Sequence, residues 1–461
     1  MGISGNTIPM VLLLKELLSI AIPMVISQVS DTVMLFFDRL MLSRLGELHL
    51  AAAMSGGLSQ FTLTSFFIGM VGYVNALTAQ YFGARKRELC APVVYQGIYL
   101  ALVAYPILFL LSPLMKQVFF LLGHREDQVA LEYTYFRVLM YGSVFPLLRA
   151  SFTGFFLGIG KTRVVMVANM VGMTVNLPAN YALIYGNWGF PAWGVMGAGV
   201  GTILGSFSTV LILVLAFLSP TYRASFRTHW ISRVDVPLLV KLLRYGGPAG
   251  AELFFNVTAF NLFVLLMHSY GPGVAAAVTV AFNWDLVAFI PMLGIGDAVT
   301  SMVGRRVGGG DYSEARRATY TALVTAWIYS ASMMVLFLFA APLLVQVFLP
   351  LNSAFPESEA FQTFSLGVFM LRLAGLYTLA DSAQIVFSGA LRGGGDTRAV
   401  MCISVGLHWA FTFLSLGMIR YWRLSPATVW IAFILFVMVL GLGMFLRFQF
   451  GRWTARKMVE T

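Results

Sequence analysis

Long apolar runs separated by short polar breaks occupy almost the whole chain. A helix that crosses a bilayer takes roughly 20 apolar residues, and about twelve segments reach that length. They lie near residues 14–42, 50–83, 91–121, 130–158, 162–186, 194–219, 243–270, 273–304, 316–348, 360–391, 397–420 and 426–449. Barrel strands would instead alternate over about ten residues, so the pattern predicts an all-α, multi-pass membrane protein.

The composition agrees with this class. Of 461 residues, 59% are hydrophobic and only 11% are charged, which a water-soluble domain of this length does not need. The chain enters its first long segment without the features of a cleaved secretory signal, so we expect that helix to be retained. Cys90 and Cys402 lie far apart in sequence and are interpreted as packing residues.

The formal net charge of +11 is informative through its distribution. With both termini taken as cytoplasmic, about twenty Lys and Arg fall in inside segments against about five outside. The inside residues include Arg85 to Arg87, a group between Arg223 and Arg244, and the tail from Arg447 to Lys457. The basic excess therefore indicates topology in a cell (inner) membrane, with both termini cytoplasmic, and not nucleic-acid binding.

The two halves of the chain repeat short phrases in the same order. GIGKTRVVM at 158–166 is answered by GGGDTRAVM at 393–401, Pro23 by Pro248, and Gly83 by Gly308. We therefore predict an N-terminal lobe over 1–219, a cytoplasmic linker over 220–242, and a C-terminal lobe with a basic tail over 243–461. Two six-helix lobes related by a pseudo-two-fold axis are a transporter architecture, with the substrate expected between them near the midplane.

Six carboxylates within the apolar segments are candidates for a role inside the membrane. A charged side chain at the bilayer centre costs about 2.5 to 3.5 kcal/mol even on a lenient scale, so such residues usually face a cavity or a partner. They are Asp31, Asp38, Glu252, Asp285, Asp297 and Asp381. Each carboxylate thus needs a functional or structural explanation.

Two of these acids have polar neighbours one helical turn away. Tyr377 precedes Asp381 by four residues, and Asn256 follows Glu252 by four, so each pair shares a helical face. If the seventh and tenth helices pack together, these four residues form an oxygen-rich pocket. Such a pocket could hold a sodium ion or exchange protons near neutral pH.

A second candidate site lies in the first half. Asp38 could be joined by Asn176 and Asn180 of VNLPANY and by Thr202 of GAGVGT. Pro178 interrupts the helix between the two asparagines, which frees backbone carbonyls and favours a bend. This group is a second candidate ion site.

Structural roles could also explain these acids and their polar neighbours. Asp31 could line a substrate cavity or pair with an arginine, and Asp285 could also line that cavity. Pairing with Arg305 or closeness to a helix end would equally explain Asp285 and Asp297. The asparagines, Thr202 and Tyr377 could each serve as ordinary hydrogen-bonding groups between helices.

Several longer phrases together resemble one known family. They are the spacing from Pro23 to Asp38, VNLPANYALIYG with the following GVMGAGVGT, FIPMLGIGDAVTSMVGRRVG, and DSAQIVFSGALRGGGDTR. Over essentially the whole length the chain resembles the multidrug and toxic compound extrusion (MATE) family, NorM-like branch. Members of this family look like two six-helix lobes that form a V around a central cavity. They export amphipathic, often cationic compounds by antiport with sodium ions or protons.

The resemblance implies roles for particular residues. The acid of the first helix falls on Asp38, the asparagine pair of the fifth helix on Asn176 and Asn180, and the acid and tyrosine of the tenth helix on Asp381 and Tyr377. A possible sodium site therefore involves Asp381, Glu252 or Asp38.

Two positions depart from the family pattern. Arg39 stands where the family usually has threonine, and Asn256 aligns with the glutamate of the seventh helix, while Glu252 lies one turn earlier. If Glu252 supplies the missing carboxylate, the site has shifted by a turn. If it does not, the second-lobe cation site is weakened.

The sequence therefore predicts a monomeric secondary active transporter that exports organic compounds by alternating access, with sodium ions or protons as the coupling cation and no other cofactor. A lipid-linked precursor flippase of the same superfamily is the alternative, although such proteins commonly carry extra helices and a more cationic cavity. A channel or a membrane-embedded enzyme finds little support, because the sequence shows no filter-like repeat, metal-ligand spacing or nucleophile-base pattern.

Overall fold

A computed structural model describes residues 9–121, 123–228, 233–349, 357–451, 453–455 and 458–459. Three residues of the predicted basic tail, Arg452, Arg456 and Lys457, lie outside the described residues, as do 229–232 of the predicted linker. Every regular element within the described ranges is helical. The predicted all-α class is confirmed.

Ten α-helices form the first half of the described chain. They are α1 (Met10–Ser43), α2 (Glu47–Gly72), α3 (Val74–Gly83), α4 (Cys90–Leu111), α5 (Leu114–Leu121), α6 (Glu126–Tyr141), α7 (Val144–Gly158), α8 (Arg163–Tyr185), α9 (Val195–Phe217) and α10 (Pro220–Phe226).

Six long helices form the described part of the second half. They are α11 (Val236–His268), α12 (Pro272–Gly308), α13 (Tyr312–Phe348), α14 (Glu357–Gly393), α15 (Thr397–Arg420) and α16 (Pro426–Phe450). Short 3₁₀ turns occur at Arg87–Leu89, Asn187–Gly189 and Trp453–Ala455. Helix α11 begins inside the segment that the sequence assigned to the linker.

The twelve predicted spans correspond to these helices, with α2–α3 and α6–α7 each forming one span. Within the described residues, ten spans are long and apolar enough by themselves to cross a membrane. The other two are α6–α7, which is divided in the middle, and α8. Helix α8 is less apolar because Asn169, Asn176 and Asn180 lie within it.

The fourth span is broken at Gly142, where the sequence predicted one continuous helix. A Cβ atom at Gly142 would overlap the side chain of Ile203 on α9. The glycine therefore permits close packing against α9, and α6 ends at Tyr141 before α7 starts at Val144. Glycine within a helix is also unfavourable by roughly 0.5–1 kcal/mol relative to alanine, which favours a break at this position.

The two repeated phrases fold into the same helix-ending turn. Gly160 and Gly395 occupy equivalent positions and have φ of 73° and 89°. The amides of Lys161 and Asp396 each bond to the carbonyl five residues earlier, at 2.7 and 2.8 Å. This is the Schellman arrangement, in which a left-handed residue closes the helix.

A second repeated turn shows the same agreement. After Gly83 and Gly308, the equivalent residues Arg85 and Gly310 have φ of 60° and 80°. The first half thus holds an arginine in a conformation that normally favours glycine. The internal repeat inferred from weak sequence echoes is therefore present in the backbone.

Contacts within the described chain define two compact units. One is built mainly from Ile22–Phe254 together with Gly304–Gly310, and the other mainly from Phe255–Val303 and the chain from Asp311 onward. In the first unit α8 packs along α9, and in the second α14 packs against α13 and α16. The core of the second unit is rich in aromatic side chains, including Phe263, Phe411, Trp430 and Phe433.

Candidate functional site

A buried carboxylate organises a polar group in the first unit. Asp38 of α1 is only 3% exposed, and its two oxygens accept hydrogen bonds from Asn180 Nδ2 and from Thr202 Oγ1, the latter at 3.0 Å. Asn180 Nδ2 also donates to Asn176 Oδ1 at 3.2 Å. The structure thus brings together all four residues of the predicted N-terminal site, named here the N-terminal cluster: Asp38, Asn176, Asn180 and Thr202.

Spacing on α8 and glycines on α9 make this cluster possible. Asn176 and Asn180 are one turn apart and are both fully buried, so both amides face α1 and α9. A Cβ atom at Gly201 would overlap Asn180 Oδ1, and one at Gly205 would lie 2.9 Å from Asn176 Cβ. Only glycine at these positions leaves room for the amides.

Sequence reasoning missed one member of this neighbourhood. Tyr135 of α6 is 4% exposed, and its hydroxyl lies near Thr202, which donates to Asp38. Tyr135 is one of three tyrosines in EYTYFRVLMY, and no spacing rule distinguishes it from the other two. Its role could be found only from the packing of α6 against α9.

Helix geometry directs the side chain of Arg39, one of the two departures from the family pattern, away from Asp38. Arg39 directly follows Asp38, and adjacent residues on a helix point in different directions. Asp38 is buried while Arg39 is exposed, and within the described residues the two form no ion pair. The charge of Arg39 still acts on Asp38 at longer range.

The N-terminal cluster has unused hydrogen-bonding capacity. Asn180 Oδ1 and Asn176 Nδ2 are buried and have no hydrogen-bond partner among the described residues. Most buried polar atoms in proteins are paired, so such atoms call for an explanation. An amide oxygen beside a carboxylate and a hydroxyl is a suitable ligand set for a small cation.

The second unit contains a separate small pocket, named here the C-terminal pocket. It is lined by Asp285, Ala288, Phe289, Met292, Tyr329, Ser330, Met333, Thr378 and Asp381. Tyr377, whose side chain is 3% exposed, lies close enough to Asp285 for its hydroxyl to interact with that carboxylate. Asp285 and Asp381 are close enough to interact electrostatically.

The grouping around Asp381 therefore differs from the predicted one. The sequence assigned Asp285 to a substrate cavity, whereas the structure places it beside Tyr377 and Asp381. Asn256 donates to Ser404 Oγ on α15 at 2.8 Å. Glu252 is 2% exposed and belongs to the first unit, to which Tyr377 and Asp381 do not belong.

The remaining membrane acids have basic neighbours. Asp31 forms an ion pair with Arg149 of α7, and both side chains are about one-third exposed, at 31% and 29%. Of the two roles weighed for Asp31, the structure shows pairing with an arginine. Asp297 interacts electrostatically with Arg392 of α14, and not through the Arg305 pairing that the sequence suggested.

The fold and these sites define a multi-pass helical membrane protein with buried carboxylates inside its helix bundles. The MatE family model matches residues 23–182 and 248–414, once in each half. The chain belongs to the MatE family of membrane transporters, which confirms the resemblance drawn from the sequence.

Two bacterial relatives share this family. The chain is 31% identical over 414 residues to the "Probable multidrug resistance protein NorM" of Shewanella oneidensis, covering 87% of this chain and 86% of the relative. It is 27% identical over 397 residues to the protein of the same name from Pasteurella multocida, covering 86% and 84%. The similarity to NorM proteins agrees with the predicted branch.

Solved structures show the same fold. A MOP superfamily transporter from Pyrococcus furiosus superposes with a TM-score of 0.84 at 22% identity, covering 98% of this chain and 99% of that one. A eukaryotic MATE transporter gives a TM-score of 0.84 at 19% identity, covering 97% of both chains. The predicted class of twelve transmembrane helices in two lobes is confirmed.

Proposed function

We propose that the protein is a secondary active multidrug exporter that exchanges amphipathic, often cationic organic compounds for sodium ions or protons. Membership of the MatE family and similarity to proteins named for multidrug resistance support this proposal. We further propose that it acts as a monomer in a cell (inner) membrane with both termini in the cytoplasm, as its distribution of Lys and Arg suggests.

The main structural support for the proposal is the environment of Asp38. This carboxylate is buried in a membrane-spanning bundle, and its hydrogen bonds come from the neutral groups of Asn180 and Thr202. Neutral donors orient a carboxylate but do not cancel its charge. An uncompensated acid inside a membrane protein is costly, and a bound cation or proton would relieve that cost.

The residues of the N-terminal cluster suit either coupling ion. For sodium, the Asp38 carboxylate, Asn180 Oδ1 and the Thr202 hydroxyl supply oxygen ligands. For a proton, Asp38 itself is the acceptor, and Asn180 and Thr202 hold its oxygens in place. In both cases binding removes the negative charge of Asp38.

Coupling follows from linkage between the two ligands. If the coupling ion stabilises one conformation and the exported compound the other, each weakens the binding of the other by the same factor. A cationic compound attracted to ionised carboxylates would be released when the ion neutralises them. The proposed cycle therefore needs no covalent chemistry.

Efflux from proteoliposomes tests this function. Purified protein is reconstituted, vesicles are loaded with ethidium as a fluorescent cation, and sodium and pH gradients of equal size are imposed separately. We expect at least one gradient to drive efflux in the wild type. Asp38→Asn and Asp381→Asn are compared with Asp127→Asn, an exposed acid that pairs with Arg125.

The other functional classes give different results in the same vesicles. Ethidium transport that ignores both gradients contradicts antiport. Sustained ion current without countertransport in planar bilayers would indicate a channel. Translocation of a lipid-linked sugar without ethidium efflux would support the flippase alternative.

A further inference from the structure

The C-terminal pocket brings two carboxylates together without a basic partner on its wall. Asp285 comes from α12 and Asp381 from α14, and none of the residues that line the pocket is a Lys, Arg or His. Two ionised carboxylates close together in a medium of low dielectric repel each other strongly. The pair is therefore stable when one positive charge is bound between its members.

The two acids have different neighbours. Asp285 lies near the hydroxyl of Tyr377, whose ring packs edge-on against Phe433 of α16 with centroids 5.7 Å apart. Asp381 lines the pocket and has no hydrogen bond or ion pair with any described residue. A tyrosine hydroxyl is thus near Asp285, and neither carboxylate forms an ion pair with a described residue.

The rest of the wall suits a proton better than a metal ion. Ala288, Phe289, Met292 and Met333 present no side-chain oxygen to the pocket. The three wall hydroxyls already donate within the protein: Thr378 to the Gly375 carbonyl at 2.8 Å, Tyr329 to the Val287 carbonyl at 3.3 Å, and Ser330 to the Met292 sulfur at 4.0 Å. Hard metal ions require a shell of several oxygens, whereas two carboxylates can share one proton.

We infer that Asp285 and Asp381 form a dyad that binds one proton, with Asp285 as the second acid of the C-terminal coupling site. Binding forms one O–H bond on a carboxylate oxygen and changes the charge of the pair from two negative charges to one. The proton comes from water on one side of the membrane and returns to water on the other. This inference rests on the proposed function.

The groups that face the dyad are few. Within the described residues, α13 contributes Tyr329, α14 contributes Tyr377, and α16 faces Tyr377 with the apolar ring of Phe433. The two tyrosines are neutral near physiological pH. We therefore expect the proton to bind to the dyad and not to either tyrosine.

Proton release from the solubilised full-length protein tests the dyad without relying on transport. Ethidium is added to purified protein in weakly buffered detergent solution near neutral pH, and a pH-indicator dye reports protons released per ethidium bound. Sodium chloride is compared with choline chloride. We expect the wild type to release up to about one proton, equally in both salts, because one cation displaces one proton from the dyad.

Substitutions separate the members of the dyad from their surroundings. Asp285→Asn and Asp381→Asn should each abolish the release, while Asp285→Glu should retain it. Asp297→Asn is the matched control, since it removes a carboxylate from the same helix outside the pocket. Tyr377→Phe keeps both carboxylates and should shift the pH range of the release without abolishing it.

Three results would overturn the inference. Full proton release by Asp285→Asn with ethidium binding retained excludes Asp285 from the site. Ethidium binding that responds to sodium in the wild type and not in Asp285→Asn assigns the pair to a metal ion. Equal loss of proton release in Asp297→Asn, with ethidium binding retained, shows that the release is not specific to the dyad. Absence of gradient-driven efflux with normal proton release contradicts the proposed function and leaves the dyad in place.

Discussion

The N-terminal cluster and the C-terminal pocket lie at different positions of a repeated scaffold. By the spacing that relates Pro23 to Pro248, Asp38 corresponds to Phe263 in the second half. Phe263 is 2% exposed and belongs to the aromatic core of its unit. The position that carries the buried acid in one half therefore carries an apolar ring in the other.

One other member of the N-terminal cluster shows the same replacement. By the spacing that relates Gly160 to Gly395, Asn176 corresponds to Phe411. The rings of Phe263 and Phe411 contact each other with centroids 5.1 Å apart, and Phe433 lies 5.0 and 5.8 Å from them. Two members of the polar cluster in one half thus correspond to two contacting aromatic rings in the other.

Asp381 and Tyr377 have no polar equivalents in the first half. Asp381 corresponds to Pro146 and Tyr377 to Gly142, at the break between α6 and α7. Helix α14 runs unbroken from Glu357 to Gly393 and so keeps both side chains on a regular helix. The repeat supplies a common scaffold, while each half builds its own site at a different place.

The largest expected effect comes from replacing the acid of one site while the other site is kept. Asp38→Asn and Asp381→Asn should each lower gradient-driven ethidium efflux by about 5- to 150-fold, the usual range of coupling between two ligands. Initial rates from proteoliposomes measure this effect. If either variant exported ethidium at the wild-type rate, only the acid of the other site would take part in coupling.

The next effect tests the packing that only the N-terminal cluster requires. Gly201→Ala places a methyl group against Asn180 Oδ1, and overpacking of this kind costs about 1–3 kcal/mol. Thermal unfolding in detergent should show lower stability. The control is Gly406→Ala in α15, where nothing lies within 4 Å of the added Cβ; equal melting temperatures for both variants would contradict the packing argument.

A smaller effect compares hydroxyl groups in the two sites. Thr202→Val removes the donor to Asp38 and leaves a buried carboxylate oxygen with one bond fewer, at a cost of about 1–3 kcal/mol. Thr378→Val removes a hydroxyl that bonds to its own helix backbone, so its stability should change less. Denaturation midpoints of the two variants provide the measurement, and the reverse order would contradict the assigned contacts.

The smallest effect concerns the two acids of α1. Asp31 is partly exposed and paired with Arg149, and exposed ion pairs are worth about 1 kcal/mol or less. Asp31→Asn should therefore change stability and efflux far less than Asp38→Asn, in the assays above. A comparable loss of efflux would make Asp31 part of the transport pathway.

Much of the N-terminal cluster could be predicted because its members are marked by local spacing. Asn176 and Asn180 share a helical face by their separation of four residues, and Asp38 interrupts a long apolar run. The predicted C-terminal site did not include Asp285, because this residue is more than ninety residues from Tyr377 and Asp381 in sequence. No local spacing shows that α12 presents Asp285 to α14. The transport roles of all these residues stay proposals.

The sequence by itself determined the membrane class, the twelve spans, the internal repeat and six candidate acids within the apolar segments. These features follow from the length of apolar runs, from glycine conformation and from the cost of charge in a bilayer, which act locally along the chain. Only the tertiary structure decided that Asp285 joins Asp381, that Tyr135 reaches Thr202 and that Asp31 meets Arg149. Such contacts depend on the rotation and packing of helices distant in sequence, which many different local patterns permit.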